Sequence, residues 1–178
     1  MKQTGRIALG GILGALALTF LLLTVFPFGT YALPAIAGAV FIPLVVEFGA
    51  KSGFLAFAAV SFVCAFIVPD MEARILFIGF FGYYPVLKAL LERLGKRWLE
   101  WVIKLAVFNI SMVLSYLLLI FVFSLDREEF VLFGVYLPYL FLAVGNGVFL
   151  LYDKALTNVV TMYIRILHPR IAKTFRLK

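Results

Sequence analysis

The sequence holds one cysteine, one histidine and only nine acidic residues among its 178. Each scarcity removes a class of function. Cys64 cannot form an internal disulfide, and inside an apolar run it reads as a small buried hydrophobe. One cysteine and one histidine make no zinc cluster, and neither a phosphate-binding loop nor a His-Glu-x-x-His motif is present. Ser61, Ser111 and Ser115 fall in apolar segments with no histidine at their depth, which argues against Ser-His catalysis. No aspartate falls in the middle of an apolar run, which argues against an intramembrane aspartyl pair. His168 stands beside Pro169 in a basic tail and reads as a solvated residue. The chain is therefore expected not to be an enzyme and to need no cofactor and no metal.

Charge is scarce as well. Charged residues make up 14% of the chain and hydrophobic ones 65%, with a mean hydropathy of +1.10. Soluble domains are about half apolar and about a quarter charged. A domain of this size keeps too much surface to hide that excess. Lipid is the solvent that fits, and a helical crossing needs about 20 mostly apolar residues. Apolar runs predict six crossings at residues 7–26, 31–48, 53–68, 75–91, 101–124 and 130–152. They nearly exhaust the chain, so a single membrane domain over residues 1–178 is expected, an all-α integral membrane protein. The runs are too continuous for the alternating strands of a membrane barrel. The first run is longer than a signal-peptide core and lacks a small-residue cleavage site, so it reads as a retained helix. Pro34, Pro43, Pro85 and Pro138 lie within these runs and are expected to kink helices rather than end them.

The net charge of +7 is distributed, not patched. With the N-terminus inside, Lys2, Arg6, Lys51, Lys88, Arg93, Lys96, Arg97, Lys104, Lys154, Arg165, Arg170, Lys173, Arg176 and Lys178 share the cytoplasmic side. Of the 16 basic residues, only Arg74 and Arg127 fall outside. That asymmetry satisfies the positive-inside rule for an even number of crossings, with both termini cytoplasmic and the protein in a cell membrane. No soluble, aromatic-studded basic face exists to carry nucleic acid. The outer loops carry Asp70, Glu72, Asp126, Glu128 and Glu129. The inner segment 88–104 pairs Glu92 with Lys96 and Glu100 with Lys104 at helical spacing, and Trp98 and Trp101 suit the headgroup level. Residues 155–168 form an amphipathic stripe, either a surface helix or a prolongation of the sixth helix.

Two patterns offer candidate sites. Gly10/Gly14 and Gly11/Ala15 form a small-residue ridge on the first helix, suited to internal packing or to docking on another membrane subunit. Tyr31, Glu72, Arg74, Tyr136 and Tyr139, with Asp70, gather at the outer mouth, as a substrate site or as an aromatic belt. Asn109 and Asn146 lie deeper and need partners, each other or the Tyr83-Tyr84 pair. Glu47, four residues before Lys51, reads as half of an interfacial pair. Charges within the bilayer usually mark ion or proton paths, and the sequence shows almost none.

Six helices, a short basic N-terminus, the ridge and the basic inner loop resemble the substrate-binding (S) components of energy-coupling factor transporters. Gly49-Ala-Lys-Ser-Gly53-Phe-Leu-Ala56 is similar to their glycine-rich inner turn. Gly79-Phe-Phe-Gly82-Tyr-Tyr-Pro-Val-Leu-Lys88 resembles the segment where their fourth helix meets a basic loop. The resemblance spans residues 6–155 as a pattern. It implies a six-helix bundle that captures a nutrient or vitamin outside and releases it by toppling in the membrane. A transmembrane coupling protein and two ATPase subunits would supply the drive. By position, Gly10, Gly11, Gly14 and Ala15 would contact the coupling protein, where the family usually carries alanines. The runners-up are a scaffold like the MreD rod-shape proteins, which serves cell-wall synthesis, and a lipid-handling membrane protein.

Overall fold

The computed structural model describes residues 2–26, 29–123, 131–132 and 135–169, with side chains for all of these except 2, 120–123, 131–132, 135–139 and 141. Helices dominate: α1 (Lys2–Leu22), α2 (Ala32–Ala39), α3 (Ile42–Phe48), α4 (Ala50–Ile67), α5 (Met71–Leu76), α6 (Tyr84–Leu91), α7 (Arg97–Phe123) and α8 (Leu137–Met162). A short antiparallel ladder, β1 (Val131–Leu132) with β2 (Val135–Tyr136), precedes α8. Four stretches are long and apolar enough to cross a membrane: Gln3–Val25, Ala50–Ile67, Met71–Leu94 and Arg97–Leu119. Ala32–Phe48 is shorter.

The predicted segments shift where prolines act. All four helix prolines sit in the first turn of a helix, where the missing N–H has no intrahelical partner to lose. Pro34 opens α2, Pro43 opens α3, Pro85 opens α6 and Pro138 opens α8. The expected kinked helix at 31–48 is therefore two helices that break at Val40-Phe41. The segment expected at 75–91 starts earlier, because the Asp70 carboxylate caps α5 by accepting from the Ala73 N–H at 3.1 Å. The helix expected from residue 101 begins at Arg97. The last one begins at Leu137 rather than 130 and runs unbroken through 155–162, so the amphipathic stripe prolongs it.

Between α5 and α6 the chain makes a π-turn, Phe77–Phe81, in which the Gly82 N–H donates to the Phe77 carbonyl at 2.8 Å. Such turns insert one residue and swing the following side chains. α2 packs on this turn at Gly38, where an added Cβ would collide with the Phe81 carbonyl oxygen. At the α3–α4 junction Gly49 takes φ +82°, a backbone that residues with a Cβ rarely adopt.

Two cores result. One joins Ala17 and Leu21 of α1 with Ala37, Phe41, Phe57, Val60, Cys64, Val68 and Phe77, which places Cys64 in the apolar interior. The other joins Ile42, Phe80, Tyr84, Phe108, Phe149 and Leu156, and it ties α6 to α7 and α8. In it Phe108 stacks on Phe149 with ring centroids 4.7 Å apart and meets Phe80 edge-on at 5.3 Å. Asn109 and Asn146 exchange hydrogen bonds of 2.9 and 3.0 Å, joining α7 to α8.

Candidate functional site, an apolar cavity above an ion cluster

A cavity of about 590 Å³ lies between α7 and the stretch formed by α5 and the π-turn. α5 and the turn contribute Met71, Arg74, Ile75, Ile78 and Gly79; α7 faces them with Val107, Ile110, Ser111, Leu114, Ser115 and Leu118. The two elements run antiparallel, so Arg74 and Leu118 mark one end and Tyr83 and Val107 the other. The wall is apolar apart from Arg74 and a few hydroxyls. The Tyr83 hydroxyl and Ser111 Oγ lie 2.8 Å apart and satisfy each other at the closed end. Ile110 and Leu114, about 60% exposed, open the cavity along the flank of α7.

Arg74 donates one guanidinium N–H to the Ala65 carbonyl at 2.8 Å. No carboxylate lies within 4.0 Å of it among the described residues. Tyr31 donates to Glu72 at 3.3 Å on the opposite side of α5 from the cavity wall, so Tyr31 and Glu72 meet each other and do not join Arg74 in the cavity. Tyr136 lies on β2 and Tyr139 on α8, and their side chains fall outside the described part.

Beyond the closed end, the aromatic layer of Phe80, Tyr84, Phe108 and Phe149 separates the cavity from a buried ion cluster. Asp153 Oδ1 accepts from the Tyr84 hydroxyl at 2.6 Å and from Lys88 Nζ at 2.7 Å, and lies 3.1 Å from Lys104 Nζ. Lys88 also pairs with Glu92 at 2.7 Å and Lys104 with Glu100 at 2.6 Å. Lys104 Nζ sits 5.2 Å from the Trp101 ring centre as well. Lys88, Lys104 and Asp153 are each at least 95% buried. Two ammonium groups thus face three carboxylates, and the surplus negative charge reaches solvent through Glu92, whose side chain is 43% exposed. A buried charge is tolerated only when paired and hydrogen-bonded. The sequence placed Lys88 and Lys104 in one basic inner segment and paired Lys104 with Glu100; the structure adds Asp153 as an acceptor that both lysines share.

A second buried carboxylate, Glu47, turns from Lys51 to the chain's far end. It accepts from the Tyr163 hydroxyl and meets His168 Nδ1, both at 2.7 Å. His168 is therefore a partner of Glu47 and not simply a solvated tail residue. Burial first, and Glu47 second, raise the Tyr163 pKa.

The ridge on α1 splits in two. Gly10 and Gly14 face inward, against Leu44 and against Val60 at 3.3 Å. Gly11 and Ala15 lie on the exposed face, with nothing within 4 Å of a Cβ placed on Gly11. No group of three or more metal-ligating side chains occurs among the described residues. Compared with known proteins, the chain matches no family model, no curated protein and no solved structure.

Proposed function

We propose that the chain is a multi-pass, non-catalytic membrane protein that captures a small molecule in the cavity between α5 and α7. In this reading the chain crosses the membrane six times with both ends in the cytoplasm. The Arg74 end then faces outward and the ion cluster inward. The observation that carries the reading is the cavity itself. Its volume falls in the range of about 300–1,000 Å³ typical of small-molecule sites, and it has mostly apolar walls with a few placed polar groups. The aromatic layer and the paired charges beneath it support a state closed toward the cytoplasm. A capture subunit needs such a barrier between its site and the side of release.

The resemblance to energy-coupling factor S components supplies the rest of the proposal. This sequence has no nucleotide-binding motif, so the energy for release would come from two ATPases acting through a transmembrane coupling protein. The exposed half of the α1 ridge, Gly11 and Ala15, would let that partner's helix approach closely. Gly10 and Gly14 would act indirectly by seating α1 on α3 and α4.

The test is thermal unfolding of the purified protein against a panel of water-soluble nutrients and membrane-soluble amphiphiles. A ligand that binds only the folded state stabilises it by about 2.7 kcal/mol at one hundred times its Kd. At least one compound is expected to raise Tm by several degrees. A panel of both kinds without a shift would overturn capture.

A further inference from the structure

The cavity's chemistry narrows what it can hold. Its walls are long and apolar, and its open flank is lined by Ile110, Leu114 and Leu118. A polar nutrient would have to pass that flank without hydrogen-bond partners, at a large desolvation cost. A hydrocarbon chain passes it from the bilayer at none. At one end stands a cation. Arg74 uses one of its five N–H donors on the Ala65 carbonyl and meets no carboxylate among the described residues. Its remaining donors match a planar, singly charged acceptor, and guanidinium binds carboxylate in a bidentate fork. Its position four residues after the Asp70 cap puts it at the start of a membrane-spanning stretch, the depth of a headgroup.

Resting on the capture reading, we infer that the ligand is a single-chain amphiphile with a carboxylate head. The carboxylate lies on Arg74. The alkyl chain runs between the π-turn and α7 toward the Tyr83–Ser111 pair and enters sideways from the bilayer. Ile78, Gly79 and Leu114 line its path. Gly79 lets the π-turn approach α7 closely, since an added Cβ there would sit 2.9 Å from Ser115 Oγ.

The experiment uses the full chain in phosphatidylcholine nanodiscs and a hexadecanoate probe with a photoreactive diazirine at mid-chain. Labelling is expected on peptides covering residues 74–83 and 107–118. Unlabelled hexadecanoate should compete, and hexadecanol and methyl hexadecanoate should compete about tenfold more weakly or worse, as expected for the loss of a charge-assisted hydrogen bond. Arg74→Gln should weaken hexadecanoate to the level of the alcohol, and Arg74→Lys should restore part of the difference. Leu114→Trp, at an exposed wall position, should block labelling with the ligand-free Tm unchanged, which separates occlusion from misfolding. Equal competition by acid and alcohol, or labelling insensitive to Leu114→Trp, would overturn the inference. If amphiphiles fail while a water-soluble nutrient stabilises the protein, the ligand class falls and capture stands. If neither kind binds, both fall.

Discussion

The two ends of the seam that α5, the π-turn and α6 make with α7 treat positive charge in opposite ways. At one end Lys88 and Lys104 are buried and share Asp153, Glu92 and Glu100. At the other Arg74 is half-buried beside an apolar wall and holds one backbone carbonyl. Burying an ion costs several kcal/mol unless partners compensate it. The lysine end therefore satisfies itself and serves the fold, because every charge there is already answered. The arginine end keeps donors in reserve, and a group in reserve beside a cavity is what ligand recognition requires. Between them the stacked Phe80, Phe108 and Phe149 keep the two environments apart.

The contrast can be broken most sharply at Asp153. Asp153→Ala leaves two ammonium groups and a phenol without their shared acceptor. Removing one partner from a buried ionic network costs about 3–5 kcal/mol, so the variant is expected to unfold or to fail to accumulate, read by denaturant unfolding in detergent. Replacing the charges together, as in Lys88→Met with Asp153→Leu, should recover part of that loss. If Asp153→Ala is as stable as the parent, the cluster is not structural. By comparison Arg74→Gln should leave stability nearly unchanged, because Arg74 carries no ion pair among the described residues.

A smaller effect is expected at Asn109. Asn109→Leu leaves Asn146 Oδ1 without its donor while Asn146 Nδ2 keeps the Leu142 carbonyl, at a cost of about 1 kcal/mol, since interhelical hydrogen bonds in membranes are worth about 0.6 kcal/mol on average. The double variant Asn109→Leu/Asn146→Leu should be closer to the parent, and a double-mutant cycle measures the coupling. Additive losses would mean that the pair contributes no coupling of its own.

The smallest effect concerns Glu47 and the end of α8. Because the folded Tyr163 pKa is raised, its bond to Glu47 is fully present below the ordinary tyrosine value of about 10. It is lost as pH climbs through the raised value. The tyrosinate absorbance lost in Tyr163→Phe should belong to a phenol that titrates above free tyrosine. Glu47→Gln should bring it partway back, since burial is the larger cause and remains. An unchanged titration would mean that Glu47 does not hold the end of α8.

Much of this was readable from local patterns. The apolar runs marked the helical stretches, though not the break at Val40-Phe41 or the span of the last helix, Leu137–Met162, and two deep asparagines announced a need for partners. The π-turn was not readable, because one inserted residue leaves no mark on composition beyond Gly79 and Gly82. Nor was the burial of Lys88 and Lys104. Their neighbours Glu92 and Glu100, at helical spacing, describe a solvated charged face equally well. Asp153 directly before Lys154 looked like the end of an apolar run, not the centre of a cluster. The outer residues grouped by position diverge for the same reason: Tyr31 and Glu72 lie on the side of α5 away from the wall that carries Arg74.

The sequence by itself determined that the chain is helical and apolar enough for a membrane. Those properties are sums over neighbouring residues and depend on nothing remote. The tertiary structure alone decided which carboxylates answer Lys88 and Lys104. Asp153 meets Tyr84 and Lys88 across 69 and 65 positions of chain. Coulomb energy and desolvation depend on distances in space, which hydropathy along the chain does not contain.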